Sequence, residues 1–393
     1  MDGEGGYLEK RPSIRRAQSS AADPREAVRE FHAMVVQPEM ALVIFFCSSE
    51  FDLAVLAEEM GRLFDGVQVV GCTTAGEIGP GGCRDHSISG ASFSADGFSA
   101  VSGRIDGLAQ FSTVAGQAVV HELLQRLSSQ APQADTDNSF ALLLIDGLCR
   151  HEEPVTRAVQ SALGKLPLVG GSAGDGLNFG AARVYVDGCF HSDAAILVLV
   201  TTPLPFQLFQ TQHFVATEER VVVTQADTEH RLVREIDGWP ATEAYAKLVG
   251  VEADHLNPPC FAASPMLVVI GGANYVRSIR SANADGSLSF FCAIDEGMVL
   301  RVGRGMNLMD NLEQTFAAIH ASIGEPQVVI GIDCVLRRLE VIQNRTLGQM
   351  EDLFRRNSMI GFNSYGEQYR GVHVNQTFVG IAIGSTRSEA GDD

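Results

Sequence analysis

VVGCTTAGE, residues 69–77, runs from an apolar stretch into a glycine, two threonines, a second glycine and a carboxylate. The plan returns as LVGGSAGDG at 168–176 and as MIGFNSYGEQ at 359–368. A short apolar run bounded by turn residues reads as a buried strand. Glycine permits positive φ and close approach, so each turn can offer backbone N–H groups and hydroxyls to a ligand. Glycine and serine also serve simply to redirect a chain after a strand.

Outward from each turn the surroundings repeat as well. ALVIFFCSS (41–49), the helical DLAVLAEEMGRLF and VQVVG precede the first, with His86 and the strand-like SISGASFS after it. FALLLIDGLCRH, EEPVTRAVQSALG and LPLVGG precede the second, with His191 and DAAILVLV following. PQVVIGIDC and the helical LGQMEDLFRR precede the third, and His373 and NQTFVGIAIG close it. One strand–helix–strand–glycine turn–strand unit used three times predicts an internally repeated α/β fold with mixed sheets.

Order is expected to begin at Asp23, an N-cap residue followed by Pro24 at the first helical position, which leaves 1–22 as a mobile tail. Between the second and third passes, IDGWPATEAYAKLVG (236–250) reads as a turn and a helix, and 265–305 alternates like antiparallel strands. A domain boundary near 235 follows, giving domains 23–235 and 236–386 and a second tail at 387–393.

Forty-eight Asp and Glu against 29 Lys and Arg give a net charge of -19. Such a field repels nucleic acid and anionic lipid surfaces. Eight cysteines without a C-x-x-C pair suggest neither a disulfide framework nor a zinc ribbon, and fit a reducing cytoplasm. The N-terminus lacks the apolar core of a signal peptide, and the longest apolar run, Ala194 to Val200, is too short to span a bilayer. A soluble, cytoplasmic protein is expected.

No phosphate-binding G-x-x-x-x-G-K-[ST] loop, complete dinucleotide fingerprint or H-E-x-x-H zinc motif is present, and no G-x-S-x-G nucleophile elbow is expected. Cys149 and His151 fall at a helix start, an awkward place for a nucleophile and its base. The chain is therefore expected not to be an enzyme. Three equivalent turns would meet at one end of a sheet, where α/β folds bind ligands. The candidate crevice comprises Thr73, Thr74, Ser172, Asp175, Ser364, Tyr365 and Glu367, whose hydroxyls and carboxylates suit an ammonium-bearing metabolite such as an amino acid.

FFCSSEFD, VVGCTTAGEIGPGG, PLVGGSAGDG, IDGWPATEAYAKLVG and GFNSYGEQYRGVHVNQTFVGIAIG resemble the motifs of the FIST sensory-domain family, an N-terminal FIST region followed by a C-terminal one. The resemblance runs from about Asp23 to Gly384 and implies two FIST domains. Ser364 stands where the family pattern suggests threonine, which keeps the hydroxyl. Family members are bacterial sensory modules working with signal-transduction partners. The chain carries no fused kinase, cyclase or receptor segment, as in the free-standing subgroup that includes the NosP haem proteins. The resemblance therefore implies haem b, nitric oxide as gas ligand, and regulation of a histidine kinase or a diguanylate cyclase or phosphodiesterase affecting biofilm behaviour.

A haem iron needs a neutral imidazole beside an apolar slot. His373 leads as axial ligand, because it lies beside the GEQ turn with Tyr365, Tyr369 and Arg370 near in sequence and Phe362 and Phe378 as walls. His191 and His86 are the alternatives. A haem-free FIST module holding a small metabolite in the crevice is the other reading.

Overall fold

The computed structural model describes residues 13–270 and 272–385. Its first repeat comprises β1 (Ile14–Ser19), α1 (Pro24–Val35), β2 (Met40–Ser48), α2 (Leu53–Leu63), β3 (Val69–Thr74), β4 (Glu77–Gly79), β5 (Gly82–Arg84) and β6 (Ile88–Ser94). The second comprises β7 (Ser99–Asp106), α3 (Thr113–Gln130), β8 (Ser139–Asp146), α4 (Glu152–Leu163), β9 (Leu168–Ala173), β10 (Val184–Val186), β11 (Cys189–His191) and β12 (Ala194–Thr201).

The third repeat opens with β13 (Phe206–Thr211), and an inserted region follows. It holds β14 (Phe214–Asp227), β15 (Leu232–Ile236), β16 (Trp239–Pro240), α5 (Ala241–Val249), α6 (Pro258–Ala263), β17 (Met266–Ile270), β18 (Ala273–Arg277), β19 (Ile279–Ala282), β20 (Leu288–Phe290) and β21 (Val299–Gly305). The repeat then resumes with α7 (Leu308–Ile323), β22 (Val328–Cys334), α8 (Val335–Gln343), α9 (Leu347–Arg356), β23 (Met359–Ser364), β24 (Glu367–Tyr369), β25 (Val372–Val374) and β26 (Phe378–Ile383). A mixed α/β fold is thus what the periodicities build.

Helices carry the chain back, so β2–β3, β8–β9 and β22–β23 pair in parallel. The last strand of each repeat lies antiparallel on the other side, and the first strand covers its edge. Alternate side chains then face two different cores. Val43, Phe45 and Cys47 pack with α1 and α2, while Ile44 and Phe46 join a central cluster with Leu142, Leu144 and Phe362 from the other repeats. Both strand faces are apolar because both are covered.

The short hairpins tie the repeats into a ring. β4–β5 adds to β23 of the third repeat, β10–β11 to β3 of the first, and β24–β25 to β9 of the second. Each repeat thus lends its hairpin to another, and the exchange closes on itself. Gly71, Gly170 and Gly361 share one register, where a methyl would collide with the main-chain oxygens of Phe45, Leu143 and Gly331.

One expectation changes. Residues 14–19, placed in the 1–22 tail, form β1 and pair with β6, because the last strand of the repeat needs an edge partner. The first twelve residues and 386–393, which include the expected 387–393 tail, lie outside the described residues. One sheet runs across the boundary placed near 235, since β13 pairs with β26 and the inserted region lies within the third repeat. The helix start at Asp23 is as expected, its Oδ1 accepting from the Glu26 N–H at 2.9 Å. The antiparallel reading of 265–305 also holds.

Candidate functional site

The three glycine turns meet. Ala75 N–H donates to Asn363 O at 2.9 Å and Asn363 N–H to Gly76 O at 2.8 Å; Gly174 N–H donates to Thr73 O at 3.0 Å and Ser172 N–H to Gly366 O at 2.8 Å. Parallel strands of equal length in a closed ring bring their C-terminal ends to one place. The turns are bonded to one another, so most of their polar groups serve the fold.

Glu77 shows this, and the sequence reading did not single it out. Its Oε1 accepts from Thr74 Oγ1 at 2.5 Å, and its Oε2 from the Ser87 N–H at 3.0 Å and hydroxyl at 2.9 Å. Glu367 repeats the arrangement with Ser364 at 2.5 Å and with the Thr377 N–H and hydroxyl at 3.1 and 2.6 Å. Each carboxyl thereby clasps its turn to the start of the last strand. Burial holds Glu77 up to about 7 and Glu367 up to about 8. The second repeat has Ala173 and Gly176 at these positions, and Asp146 substitutes, accepting the Asp193 N–H at 2.7 Å.

Thr73, Ser172, Ser364 and Glu367 are therefore buried among protein partners and are not open to a crevice. Thr73 Oγ1 accepts the Arg183 N–H at 3.0 Å, and Ser172 Oγ accepts from Gln368 Nε2 at 3.0 Å. Asp175 is saturated as well, taking the N–H groups of Phe179, Gly180 and Ala181 at 2.7–2.8 Å besides the Tyr365 hydroxyl. Burial raises the Tyr365 phenol.

The expectation of no nucleophile elbow needs correction at the level of the motif: Gly170-Gly171-Ser172-Ala173-Gly174 fits the G-x-S-x-G pattern. Ser172 ends a strand that does not turn into a helix, and no imidazole reaches its hydroxyl. Cys149 is no better placed: burial raises its thiol, and His151 Nδ1 faces the Cys149 carbonyl at 2.8 Å.

Beside the joined turns lies an open cleft of about 340 Å³. Thr74, Ala75 and Gly76 line it with Ser48 and Glu50 from the end of β2, Asp175 and Leu177 from the second repeat, and Arg338, Leu339 and Ile342 from α8. It sits at strand C-termini, where the expected crevice would be. Arg338 is its one buried cation, absent from the sequence reading because nothing in an arginine on a helix reports what lies opposite. Its Nη1 donates to Ala75 O at 3.0 Å and meets Asp85 at 2.6 Å, while its Nε is buried without a partner. Gly76, at φ +135, leaves the space this guanidinium fills; a methyl there would come within 2.9 Å of Cζ.

The three histidines stand two, three and five residues ahead of the final strands, so their positions are not equivalent. His86 packs on Phe51 with ring centroids 4.2 Å apart and turns Nδ1 to Glu50 at 3.2 Å. Both ring nitrogens of His191 lie within 3.0 Å of Arg104 Nη1. His373 is buried, its Nδ1 3.1 Å from Gln368 Nε2 and its Nε2 without a partner. Burial lowers it, with Glu153 and Glu152 pulling the other way. A methyl at Gly366 would lie 2.8 Å from Nε2, so the ring rests against the turn. Phe362 packs on Phe46, and Phe378 belongs to a separate cluster with Phe209 and Phe354.

Among the described residues no group of three or more His, Cys, Asp or Glu side chains is placed to hold a metal ion. No helix among them is long and apolar enough to cross a membrane.

Two solved structures cover 95% of this chain and 100% of their own, each at 10% identity. One is the crystal structure of cyanuric acid hydrolase from A. caulinodans, TM-score 0.35; the other is a cyanuric acid hydrolase described as an evolutionary innovation by structural concatenation, TM-score 0.36. Likeness at that level carries no argument about this chain. No curated protein matches the sequence. The FIST N domain model matches residues 41–239 and the FIST C domain model residues 241–370, and FIST domains are sensory-type domains. With the first match alone spanning more than half of the residues, and all three glycine turns within the two, the chain belongs to the FIST family.

Proposed function

We propose that this FIST protein is a sensory module that binds a small zwitterionic metabolite, such as an amino acid, in the cleft at Arg338. The observation that carries the reading is the partnerless Nε of Arg338 in a cleft at the ends of the parallel strands. Guanidinium is a planar fork that matches a carboxylate, and an entering carboxylate would displace Asp85, whose side chain is 83% exposed. Glu50 and Asp85 suit the ammonium, and Leu177, Leu339 and Ile342 suit an apolar side chain. Arg338 belongs to the third repeat and its carbonyl partner Ala75 to the first, so a ligand there bears on how two repeats meet. The output would be a histidine kinase or a cyclic-di-GMP enzyme. Calorimetric titration with a panel of proteinogenic amino acids tests the reading. Binding by one of them, lost in Arg338→Ala, supports it, whereas no binding, or binding indifferent to that substitution, removes it.

One observation favours the haem and nitric oxide reading, namely the unpartnered Nε2 of buried His373. The residues around it do not fit the group: the ring lies against Gly366, and His373 lines none of five cavities seen among the described residues. A porphyrin needs an apolar slot of several hundred cubic ångströms, roughly 300–1,000 Å³ for ligand sites of that kind. We therefore place the metabolite first. An absorbance spectrum of protein made in haem-replete cells decides between the two. A Soret band lost in His373→Ala would restore haem as the cofactor, and a kinase assay sensitive to nitric oxide would restore the signal.

A further inference from the structure

A second cavity lies where the second repeat meets the inserted region, lined by Arg150, Arg231, Arg280, Phe179, Phe290 and Phe291. In a chain of net charge -19, three guanidinium groups converge on one small space. Arg231 is anchored: it donates to Glu152 at 2.7 Å, to Glu153 at 2.5 Å and to Phe291 O at 2.6 Å. Arg150 and Arg280 form no side-chain hydrogen bond or ion pair among the described residues. Arg231 has its counter-ions in Glu152 and Glu153, whereas half-buried Arg280 and exposed Arg150 have none, so an anion reaching these two would relieve the repulsion among the three.

Backbone geometry points to the same place. Arg150 (φ 59), Phe179 (φ 54) and Arg231 (φ 54) hold left-handed conformations. They lie on three different segments, after β8, after β9 and between β14 and β15. Such conformations cost on the order of 1–3 kcal/mol each in non-glycine residues and gather at ligand clamps. The cavity is small, about 20 Å³ in the measure on which a water needs about 10–15 Å³. The closed space holds about one water, so an anion would sit at its mouth, where Arg150 is exposed, and not inside it.

We infer that this seam binds a small tetrahedral oxyanion of the phosphate class, held by Arg150 and Arg280 and backed by the anchored Arg231. Phosphate offers oxygens in several directions, which suits guanidinium groups arriving from three segments. The anion bridges the second repeat, through Arg150, to the inserted sheet, through Arg280 on β19 and Arg231 beside β15. It therefore fixes the inserted region against the repeat ring. The site is separate from the Arg338 cleft and does not depend on what that cleft holds.

The experiment titrates the full chain with inorganic phosphate against chloride at matched ionic strength, followed by calorimetry and by melting temperature. One saturable site tighter than about 1 mM is expected, with a rise in melting temperature on saturation. Arg280→Gln and Arg150→Gln should each weaken it at least tenfold, while Arg338→Ala leaves it unchanged. Circular dichroism establishes that each variant is folded. Phosphorus NMR line broadening on the unaltered protein gives a readout that needs no variant. No saturable phosphate binding, binding unchanged in both arginine variants, or equal binding of acetate would overturn the inference.

Discussion

The Tyr365 hydroxyl donates to the Asp175 carboxylate and accepts the Asp175 N–H at 3.1 Å, joining the third repeat to the second. Residues 190 positions apart in sequence thus meet at the centre of the ring. Tyr365→Phe keeps the ring stacked on Phe179, with centroids 4.7 Å apart, and removes only the hydroxyl. A loss of about 1–3 kcal/mol is expected, because a buried carboxylate loses a donor. Urea unfolding measures it, and a change below about 0.5 kcal/mol would show that the bond carries no stability.

Stability should fall as pH rises above the ordinary carboxyl range. Glu77 and Glu367 are held up to about 7 and 8 when folded, against 4.5 for the free group. The folded state therefore binds more protons than the unfolded one between these values. The contribution of both groups is fully present below 4.5 and is lost as pH climbs through 7 and 8. Each unit of displacement corresponds to about 1.4 kcal/mol. Glu367→Gln keeps the shape and removes the titration, so its stability profile between pH 5 and 9 should be flatter; an unchanged slope would assign the effect elsewhere.

Arg337 is fully buried on α8 and bonds Asp333 at 2.6 Å and His213 Nδ1 at 3.0 Å. Burial raises Asp333, and the guanidinium opposes it. Arg337→Leu leaves that carboxylate without its partner, and a loss of roughly 3–5 kcal/mol is expected. Asp333→Asn in the same background should recover part of it. Denaturant midpoints of the single and double variants test this, and no recovery would mean that packing rather than charge is responsible.

Asp85 shares the Arg338 guanidinium with any carboxylate that enters the cleft. Asp85→Asn should therefore raise the affinity for an amino acid bound there severalfold, unless the ammonium rests mainly on Asp85. In that case affinity falls, and Glu50→Gln has little effect. Calorimetry of both variants distinguishes the two orientations, and indifference to both places the ligand elsewhere.

Much of the architecture is written locally. The Asp23-Pro24 helix start, the apolar runs of β2, β8 and β22 and the glycine before each turn follow from capping, burial and steric demands acting over a few residues. The threefold recurrence of those signals also fixed the repeat. β1 escaped notice because Ile14–Ser19 carries two polar residues besides two arginines, and only one of its faces is covered. The short hairpins escaped because three-residue strands hold no periodicity to read.

What the chain could not disclose by itself is which repeat each hairpin joins, and hence which hydroxyls and carboxylates face inward. Thr74, Ser364 and Glu367 look like binding groups in sequence and are spent on holding turns to strands. Arg338 and Arg280 look like ordinary helix and strand arginines, and the fold sets them at cavities. Propensity and periodicity act through near neighbours and are legible in order along the chain. The environment of a charge depends on segments hundreds of residues away, and only their packing decides it.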